Sequence, residues 1–455
     1  MTTIEKNRNY ILDISGMTHE GQGVGRIDGL AVFVDGALEG EQVEARIIKL
    51  NKTYAAGKLV TVLKPSPHRA EPFCGAYRRC GGCSLQHMDY SAQLEFKTKL
   101  VRDNLAHLGG LKDIIVHDTI GMQNPFNYRN KAQYPVAMVN ENIITGFYAA
   151  RSHHVVDSEE CGIQDVESDK VRRAVRQFIA ANGISVYDEA SGKGRVRHIV
   201  TRIGFNTGEI MVVLVINGST LPMAEELVKS LIDAVPGIKS IFLNINTENT
   251  NIILGKRNIR LFGSDTITDT IGGYKFLISP HSFYQVNPVQ TEVLYSKALE
   301  YAALTGNETV FDLYCGIGTI SLFLSAKAGK VYGVEVVEDA ISDARKNAEL
   351  NGVNNAEFIL GEAERVVPEL YDRGIRADVV VLDPPRKGCD ESLLHLLAEM
   401  QPKRIVYVSC NPATLARDLK YLNGQGYRAV EVQPVDMFPW SGHCEVCVKL
   451  ERLKG

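Results

Sequence analysis

"ETVFDLYCG" (Glu308–Gly316), "KVYGVEVV" (Lys330–Val337), "AEFILGEA" (Ala356–Ala363), "ADVVVLDPP" (Ala377–Pro385) and "RIVYVSCNP" (Arg404–Pro412) are five apolar runs of strand length. Between them lie helix-period stretches such as "EDAISDARKNAELNGV" (Glu338–Val353) and "CDESLLHLLAEMQ" (Cys389–Gln401). Parallel strands need a crossover of a dozen or more residues, usually a helix, so this alternation predicts an α/β fold with a doubly wound parallel sheet. The tail Tyr427–Arg452 has two strand-like runs with no helix between them, which predicts an antiparallel hairpin closing the sheet.

Upstream the pattern changes. Residues 7–63 read as short alternating strands broken by glycines, such as "GVGRIDGLAVFVDG" (Gly23–Gly36), and predict a small β-barrel. A proline-bearing linker, "KPSPHRAEP" (Lys64–Pro72), follows. From about 90 to 280 a helical stretch (Tyr90–Leu108) mixes with strands such as "EIMVVLVING" (Glu209–Gly218), giving a mixed α+β middle. The expected domains are 1–65, 66–280 and 281–455. At 455 residues, with 45% hydrophobic and 23% charged residues, this is an ordinary globular composition for two or three domains. The first thirty residues hold no apolar stretch long enough for a signal peptide or a membrane span, which predicts a cytoplasmic protein without membrane contact. Nine cysteines in such a chain suit metal binding or catalysis better than a disulfide framework.

The first β-α turn, "DLYCGIGTIS" (Asp312–Ser321), sits where such sheets bind ligands, beyond the carboxyl ends of the strands. Gly316 lets a ligand approach the backbone, and Glu335 at the end of the next strand suits a ribose diol. The acid at Asp312 disfavours a pyrophosphate and favours a cation, so S-adenosylmethionine, with its sulfonium and ammonium, fits better than NAD. "LDPPRKG" (Leu382–Gly388) puts Asp383 and a stiff turn at the same edge, and Arg386 follows the prolines where amino-directed methyltransferases often carry an aromatic residue.

"VSCNPATLARDL" (Val408–Leu419) delivers Cys410 to that edge, just before a helix whose N-terminus favours thiolate over thiol. A thiolate beside a methyl donor suits C5 of a pyrimidine: addition at C6 makes an enolate whose C5 attacks the methyl group, and a base then removes the C5 proton. "SGHCEVCVKL" (Ser441–Leu450) offers His443 and Glu445, the second among apolar residues that would make it more basic.

Six motifs carry a resemblance: "FYQVNPVQTEVLY" (Phe283–Tyr295), "DLYCGIGTIS", "GVEVV" (Gly333–Val337), "LDPPRKG", "VSCNPATLARDL" and "DMFPWSGHCE" (Asp436–Glu445). In this order the chain resembles the RNA uracil-C5 methyltransferases, with a class I, Rossmann-like methyltransferase domain. The resemblance implies Cys410 as the C6 nucleophile and Glu445 as the base. It also implies Gln285, Tyr314, Gly316, Glu335, Glu362 and Asp383 as the surroundings of S-adenosylmethionine. "CGAYRRCGGCSLQH" places Cys74, Cys80 and Cys83 together, with Cys161 far downstream, a four-cysteine set suited to an iron–sulfur cluster or zinc. In the ribosomal-RNA branch of the family these positions resemble the ligands of a 4Fe-4S cluster, and the barrel is similar to that branch's TRAM domain, which implies 23S rRNA as the substrate. "NPFNYRNKAQYPV" (Asn124–Val136) echoes a family segment, which makes Arg129 and Lys131 candidates for RNA contact, with a structural role for either equally open. The expected target is a loop uridine flipped into the pocket, against aromatics such as Phe283 and Phe438, of RNA and not DNA, by a monomer.

The net charge of −4 does not announce a nucleic-acid partner, but basic stretches at Gly192–Arg202 and Gly255–Arg260 are candidate phosphate contacts. Three alternatives stay open: a tRNA uridine-C5 methyltransferase, an RNA cytosine-C5 methyltransferase with Cys389 as a second thiol, and an iron–sulfur RNA-binding protein without catalysis.

Overall fold

The computed structural model describes residues 4–453. The N-terminal strands β1 (Asn9–Met17), β2 (Gly23–Ile27), β3 (Leu30–Asp35), β4 (Gln42–Leu50) and β5 (Tyr54–Lys64) close into a barrel in the order β1-β2-β3-β5-β4. Their alternation sends Leu12, Ile14, Val32, Val34, Val43 and Ile47 inward, and closure leaves no unpaired edge.

After the cysteine-bearing turns come helix α1 (Tyr90–His107) and a two-residue strand β6 (Ile115–Val116). A central sheet follows, built from β7 (Lys131–Val139), β8 (Asn142–Tyr148), β9 (Val155–Asp157), helix α2 (Val166–Ala181), β10 (Val196–Ile203), β11 (Ile210–Ile216), helix α3 (Ala224–Ala234), β12 (Ile238–Ile245) and β13 (Arg257–Gly263). Its strand order is β13-β12-β11-β10-β7-β8-β9, with α2 and α3 packed on one apolar face. The basic stretch Gly192–Arg202 runs into β10, where every residue is buried. Arg197 and Arg202 spend their guanidinium groups on backbone carbonyls of Asn246 and Glu248 and of Pro280 and Ser282. This corrects the phosphate-contact expectation for those two arginines, which are buried in the core with their terminal guanidinium nitrogens bonded to backbone carbonyls and each Nε left without a partner.

The hairpin β14 (Ile267–Ile271) and β15 (Tyr274–Ile278) leads to helix α4 (Pro288–Ala302). The alternating unit then runs β16 (Thr309–Leu313), α5 (Thr319–Ser325), β17 (Lys330–Glu335), α6 (Glu338–Leu350), β18 (Ala356–Leu360), α7 (Ala363–Asp372), β19 (Val379–Leu382), α8 (Glu391–Met400), β20 (Arg404–Ser409), α9 (Pro412–Gly424), β21 (Tyr427–Val435) and β22 (Glu445–Arg452). The sheet order is β18-β17-β16-β19-β20-β22-β21-β6. β16 to β20 are parallel, and β22 is antiparallel to both its neighbours, as the tail pattern predicts. Strand order reverses between β16 and β19, which opens the crevice at their carboxyl ends.

Two elements of the stretch 66–280 contact the C-terminal α/β unit. β6 extends the C-terminal sheet beside β21, and backbone amides of Lys275 and Leu277 in the β14–β15 hairpin are held by Asn351 and Asn347 of the α6 region. Pairing partners far away in sequence decide these placements, which no local pattern reveals.

Candidate active site

The turn after β16 is shaped by positive backbone angles: Tyr314 has φ 71°, Gly316 φ 55° and Gly318 φ 82°. At Gly318 a Cβ would also lie 2.9 Å from Phe358, so only glycine fits both the backbone and the packing. Asp312 is fully buried below this turn. One carboxylate oxygen accepts from Ser321 Oγ at 2.5 Å, while the other has no partner. Burial pushes Asp312 up to about 7, against the Ser321 hydrogen bonds that hold it down. Ser321, which breaks the dinucleotide glycine pattern, is therefore the partner of this acid.

Across the crevice, burial and the Asp312 charge push Asp383 up to about 7 as well. Glu335 accepts from the backbone N–H groups of Gly316 (3.2 Å), Val336 (2.8 Å) and Val337 (3.0 Å), which ties the first and second strand ends together. Glu362 is exposed after β18. Gln285 faces the buried Tyr295 hydroxyl, which also feels the Asp383 charge. Tyr314 directs its hydroxyl toward Cys389 and the carboxylates of Glu364 and Asp390. A buried acid and a half-buried one, both with raised affinity for protons, and one unpartnered oxygen lack a positive charge between them. A ligand with a sulfonium and an ammonium supplies it.

Beyond Asp383, three segments distant in sequence meet. Cys410 follows β20, and Asn411 caps α9 by accepting from Ala413 N at 3.0 Å. Ser409 pairs with Val446 across the sheet, which brings Glu445 alongside. The backbone carbonyl of Arg386 accepts from Asn411 Nδ2 (3.1 Å) and Thr414 Oγ1 (3.2 Å), so the "DPPRKG" loop is fastened to the start of α9. Glu445 is 5% exposed; burial first, then Asp383, pushes it up to about 8, and Arg386 acts in the opposite sense.

Burial, then Glu445 and Asp383, pushes the Cys410 thiol up to about 11, with Arg386 opposing. The expectation that the helix N-terminus favours a resting thiolate is therefore corrected: burial and two carboxylates outweigh the helix end. Arg386, which sequence reasoning noted only as the residue after the prolines, is the cation that addresses both groups. His443 is held below its usual value by burial and by Arg386, Lys97, His19 and Arg129, which leaves it neutral and Glu445 the stronger base. Cys389 is buried on the other side of the loop, its N–H bonded to Asp418, in a core with Tyr314 and Tyr407. It is not among the residues that line the cleft with Cys410.

Cys410, Arg386 and His443 line a cleft of about 1450 Å³. Its other walls come from the barrel (His19, Lys58) and from the cysteine segment (Arg78, Cys80). A neighbouring cavity of about 430 Å³ is lined by Cys74, Cys80, Cys83 and Cys161 together. Burial, then the other cysteines among further causes, pushes Cys83 up to about 12. Arg129 and Lys131 line this cysteine cavity, and the Arg129 guanidinium also lies 6.0 Å over the Phe438 ring. Phe283 is 70% exposed and open to a ligand. Among the described residues, no group of three or more His, Cys, Asp and Glu side chains is placed to hold a metal ion as it stands. No helix among them is long and apolar enough to cross a membrane.

Together, the doubly wound sheet and its acid-lined crevice define a methyltransferase that uses S-adenosylmethionine. Residues 241–453 match the family described as tRNA (Uracil-5-)-methyltransferase, and residues 6–60 match the TRAM domain. The chain is 52% identical to an "Uncharacterized RNA methyltransferase" of Caldanaerobacter subterraneus subsp. tengcongensis, over 100% of both chains. It is 53% identical to one of Clostridium tetani, over 98% of this chain and 96% of the relative. Among solved structures, the Pyrococcus abyssi tRNA (uracil-54, C5)-methyltransferase in complex with S-adenosyl-L-homocysteine is 28% identical. It superposes with a TM-score of 0.78, covering 97% of this chain and 100% of that one. The chain belongs to the RNA uracil-5 methyltransferase family and is an S-adenosylmethionine-dependent enzyme with an N-terminal TRAM domain.

Proposed function

We propose that the protein methylates C5 of a loop uridine in 23S rRNA through a covalent Cys410 adduct, acting as a cytoplasmic monomer. The observation that carries this reading is that Cys410 and Arg386 line the 1450 Å³ cleft while the buried Glu445 and the half-buried Asp383 lie close enough behind them to act on the Cys410 thiol. A stacked uracil cannot reach this wall, so the base is flipped out, with the exposed Phe283 available for stacking. Cys410 Sγ adds to C6, and the C5–C6 double bond shifts its electrons toward O4 as an enolate, whose charge Arg386 offsets. S-adenosylmethionine would be held by Asp312, Glu335, Asp383, Gln285, the Tyr314–Gly316 turn and Glu362, and its methyl group would pass to C5 as the S–CH3 bond breaks and the sulfur leaves as a neutral thioether. Glu445 then accepts the C5 proton, the C5–C6 double bond reforms, and Cys410 leaves as thiolate.

We further propose a 4Fe-4S cluster on Cys74, Cys80, Cys83 and Cys161. What supports it is the shared cavity of about 430 Å³ with Arg129 and Lys131 on its wall, two cations able to offset thiolate charge. Tetrahedral zinc, with bonds of about 2.3 Å, would draw four sulfurs to within ~3.8 Å of each other. The colour and metal content of the purified protein separate the two metals. Anaerobically purified protein is expected to be brown, and colourless protein with one zinc per chain would remove the cluster.

The substrate test is mapping of 5-methyluridine in 23S rRNA and in tRNA from cells with and without the gene. Loss from 23S rRNA is the expected result. A tRNA substrate is the second reading, favoured by the Pyrococcus abyssi tRNA enzyme, which aligns over the whole chain, barrel included. Loss from tRNA alone would establish it.

A further inference from the structure

The residues 436–444 join β21 to β22 and end at Glu445, which pairs with Val435 across the antiparallel ladder. Inside this loop lies a buried ion pair that the chemistry above does not use. Lys97 Nζ, from α1, is 2.5 Å from Asp436 Oδ1, and both side chains are 0% exposed. The same ammonium donates to the Phe438 carbonyl at 3.1 Å. Tyr90 donates its hydroxyl to the other Asp436 oxygen at 2.9 Å, and Gln93 accepts from Trp440 N at 3.1 Å. Positions 90, 93 and 97 fall on one face of a helix, so α1 grips the loop with a single polar stripe. The cysteine segment grips it too, through Ser84 N and Leu85 N, which donate to the Trp440 carbonyl at 3.0 Å.

A buried ion pair seldom stabilises a fold more than apolar residues of the same volume would. What an ammonium does that a methyl group cannot is hold two acceptors of the loop, a carboxylate and a carbonyl, at fixed points. Asp383, Arg386, Cys410 and Cys444 are the charged and titratable groups that face Glu445. None of them closes the loop.

We propose that Lys97 is a positioning residue for the base: by holding residues 436–444 closed, it keeps the Glu445 carboxylate dry and directed at the C5 proton. This rests on the reading of Glu445 as the base. The step it serves is the last one, in which the C5–H bond breaks with its proton going to Glu445. The C5–C6 double bond reforms, and the C6–Sγ bond breaks with its electrons returning to Cys410. If the loop opens, addition and methyl transfer proceed and the methylated adduct stalls.

The test uses ordinary uridine RNA, S-adenosylmethionine and the full-length protein, followed on denaturing gels. Lys97→Met combined with Asp436→Asn removes both charges, so no orphan ion remains to unfold the protein. The expected result is a Cys410–RNA adduct absent from the wild type, with product release slowed about tenfold or more. The rising pH limb of release should also move below about 8, as water reaches Glu445. Glu445→Gln is the reference and should show the same stalled adduct. Wild-type release without adduct in the double variant overturns the positioning role, and so does loss of methyl transfer before any adduct forms. If Glu445→Gln itself accumulates no adduct, the base assignment fails and takes the proposal with it. Tyr90→Phe, which deletes one hydroxyl, should show a weaker effect of the same kind, and it keeps the test available if the double variant does not fold.

Discussion

Arg386→Gln removes a cation that acts on both Cys410 and Glu445, the proposed nucleophile and base. With Cys410 held at about 11, roughly one thiol in a thousand is ionised at pH 8. Arg386 opposes the burial and the carboxylates that raise it. Its side chain lies in an exposed loop, so the low end of the usual range for an opposite charge applies, ~1 pKa unit. Losing it lowers the thiolate fraction about tenfold, while the more basic thiolate gains about threefold in intrinsic reactivity. The net slowing of adduct formation from ionisation is ~3-fold, and loss of enolate stabilisation carries it toward ~10-fold. The assay is single-turnover formation of the adduct with 5-fluorouridine RNA, in which no proton can leave C5, between pH 7 and pH 10. Wild-type protein should show a rate rising about tenfold per pH unit, as the thiolate fraction grows. Arg386→Gln should run parallel and lower, and Arg386→Lys should recover most of the difference. Identical rates for Arg386→Gln and wild type would refute the charge argument. A lysine variant as slow as the glutamine would show that the fork geometry of arginine matters and its charge does not.

Three further outcomes follow from the same geometry. Asp312, Asp383 and Glu445 bind protons more tightly in the fold than as free carboxyls, so stability falls as pH rises toward about 7 for the two aspartates and about 8 for the glutamate. Below 6.5 the buried His87 and His198, both pushed down to about 4, act in the opposite sense. Melting of cofactor-free protein between pH 6.5 and 8.5 should therefore show a declining Tm, with the stabilisation from added S-adenosylmethionine growing over the same interval. Ser321→Ala removes the hydroxyl bonded to Asp312 and should cost ~1.5–3 kcal/mol, read by denaturant unfolding, together with weaker cofactor binding by calorimetry. In Gly442→Ala the new Cβ collides with the His19 carbonyl of the barrel, so RNA affinity should fall while the dissociation constant for S-adenosylmethionine stays unchanged.

The chemistry at the strand ends was legible because it is local. A strand, its terminal residue and the following turn are consecutive, so Asp312, Glu335, Asp383 and Cys410 could be placed at one sheet edge from alternation alone. Glu445 was legible as a lone acid in an apolar run. The barrel could be read in the same way from period-two alternation and glycine turns. The grouping of Cys161 with Cys74, Cys80 and Cys83 came from the family resemblance, and the structure lines one cavity with all four.

The sequence by itself thus determined the alternating sheet, its hairpin end, the barrel and the placing of Asp312, Glu335, Asp383 and Cys410 at one sheet edge. Only the tertiary structure decided how those residues titrate and what holds them. The Cys410 thiol is raised because two carboxylates from other strands and the surrounding protein act on it at once, which no helix-end argument could weigh. Arg197 and Arg202 belong to the core because β10 lies at the middle of a sheet whose neighbours are distant in sequence. Lys131 at the start of β7, and Arg129 just before it in a bridge to Gln164, line the cysteine cavity. Lys97 and Asp436, 339 residues apart, meet because α1 packs beside the closing loop of the sheet. Burial and charge sum over everything near a group in space, and chain order supplies only a small part of that neighbourhood.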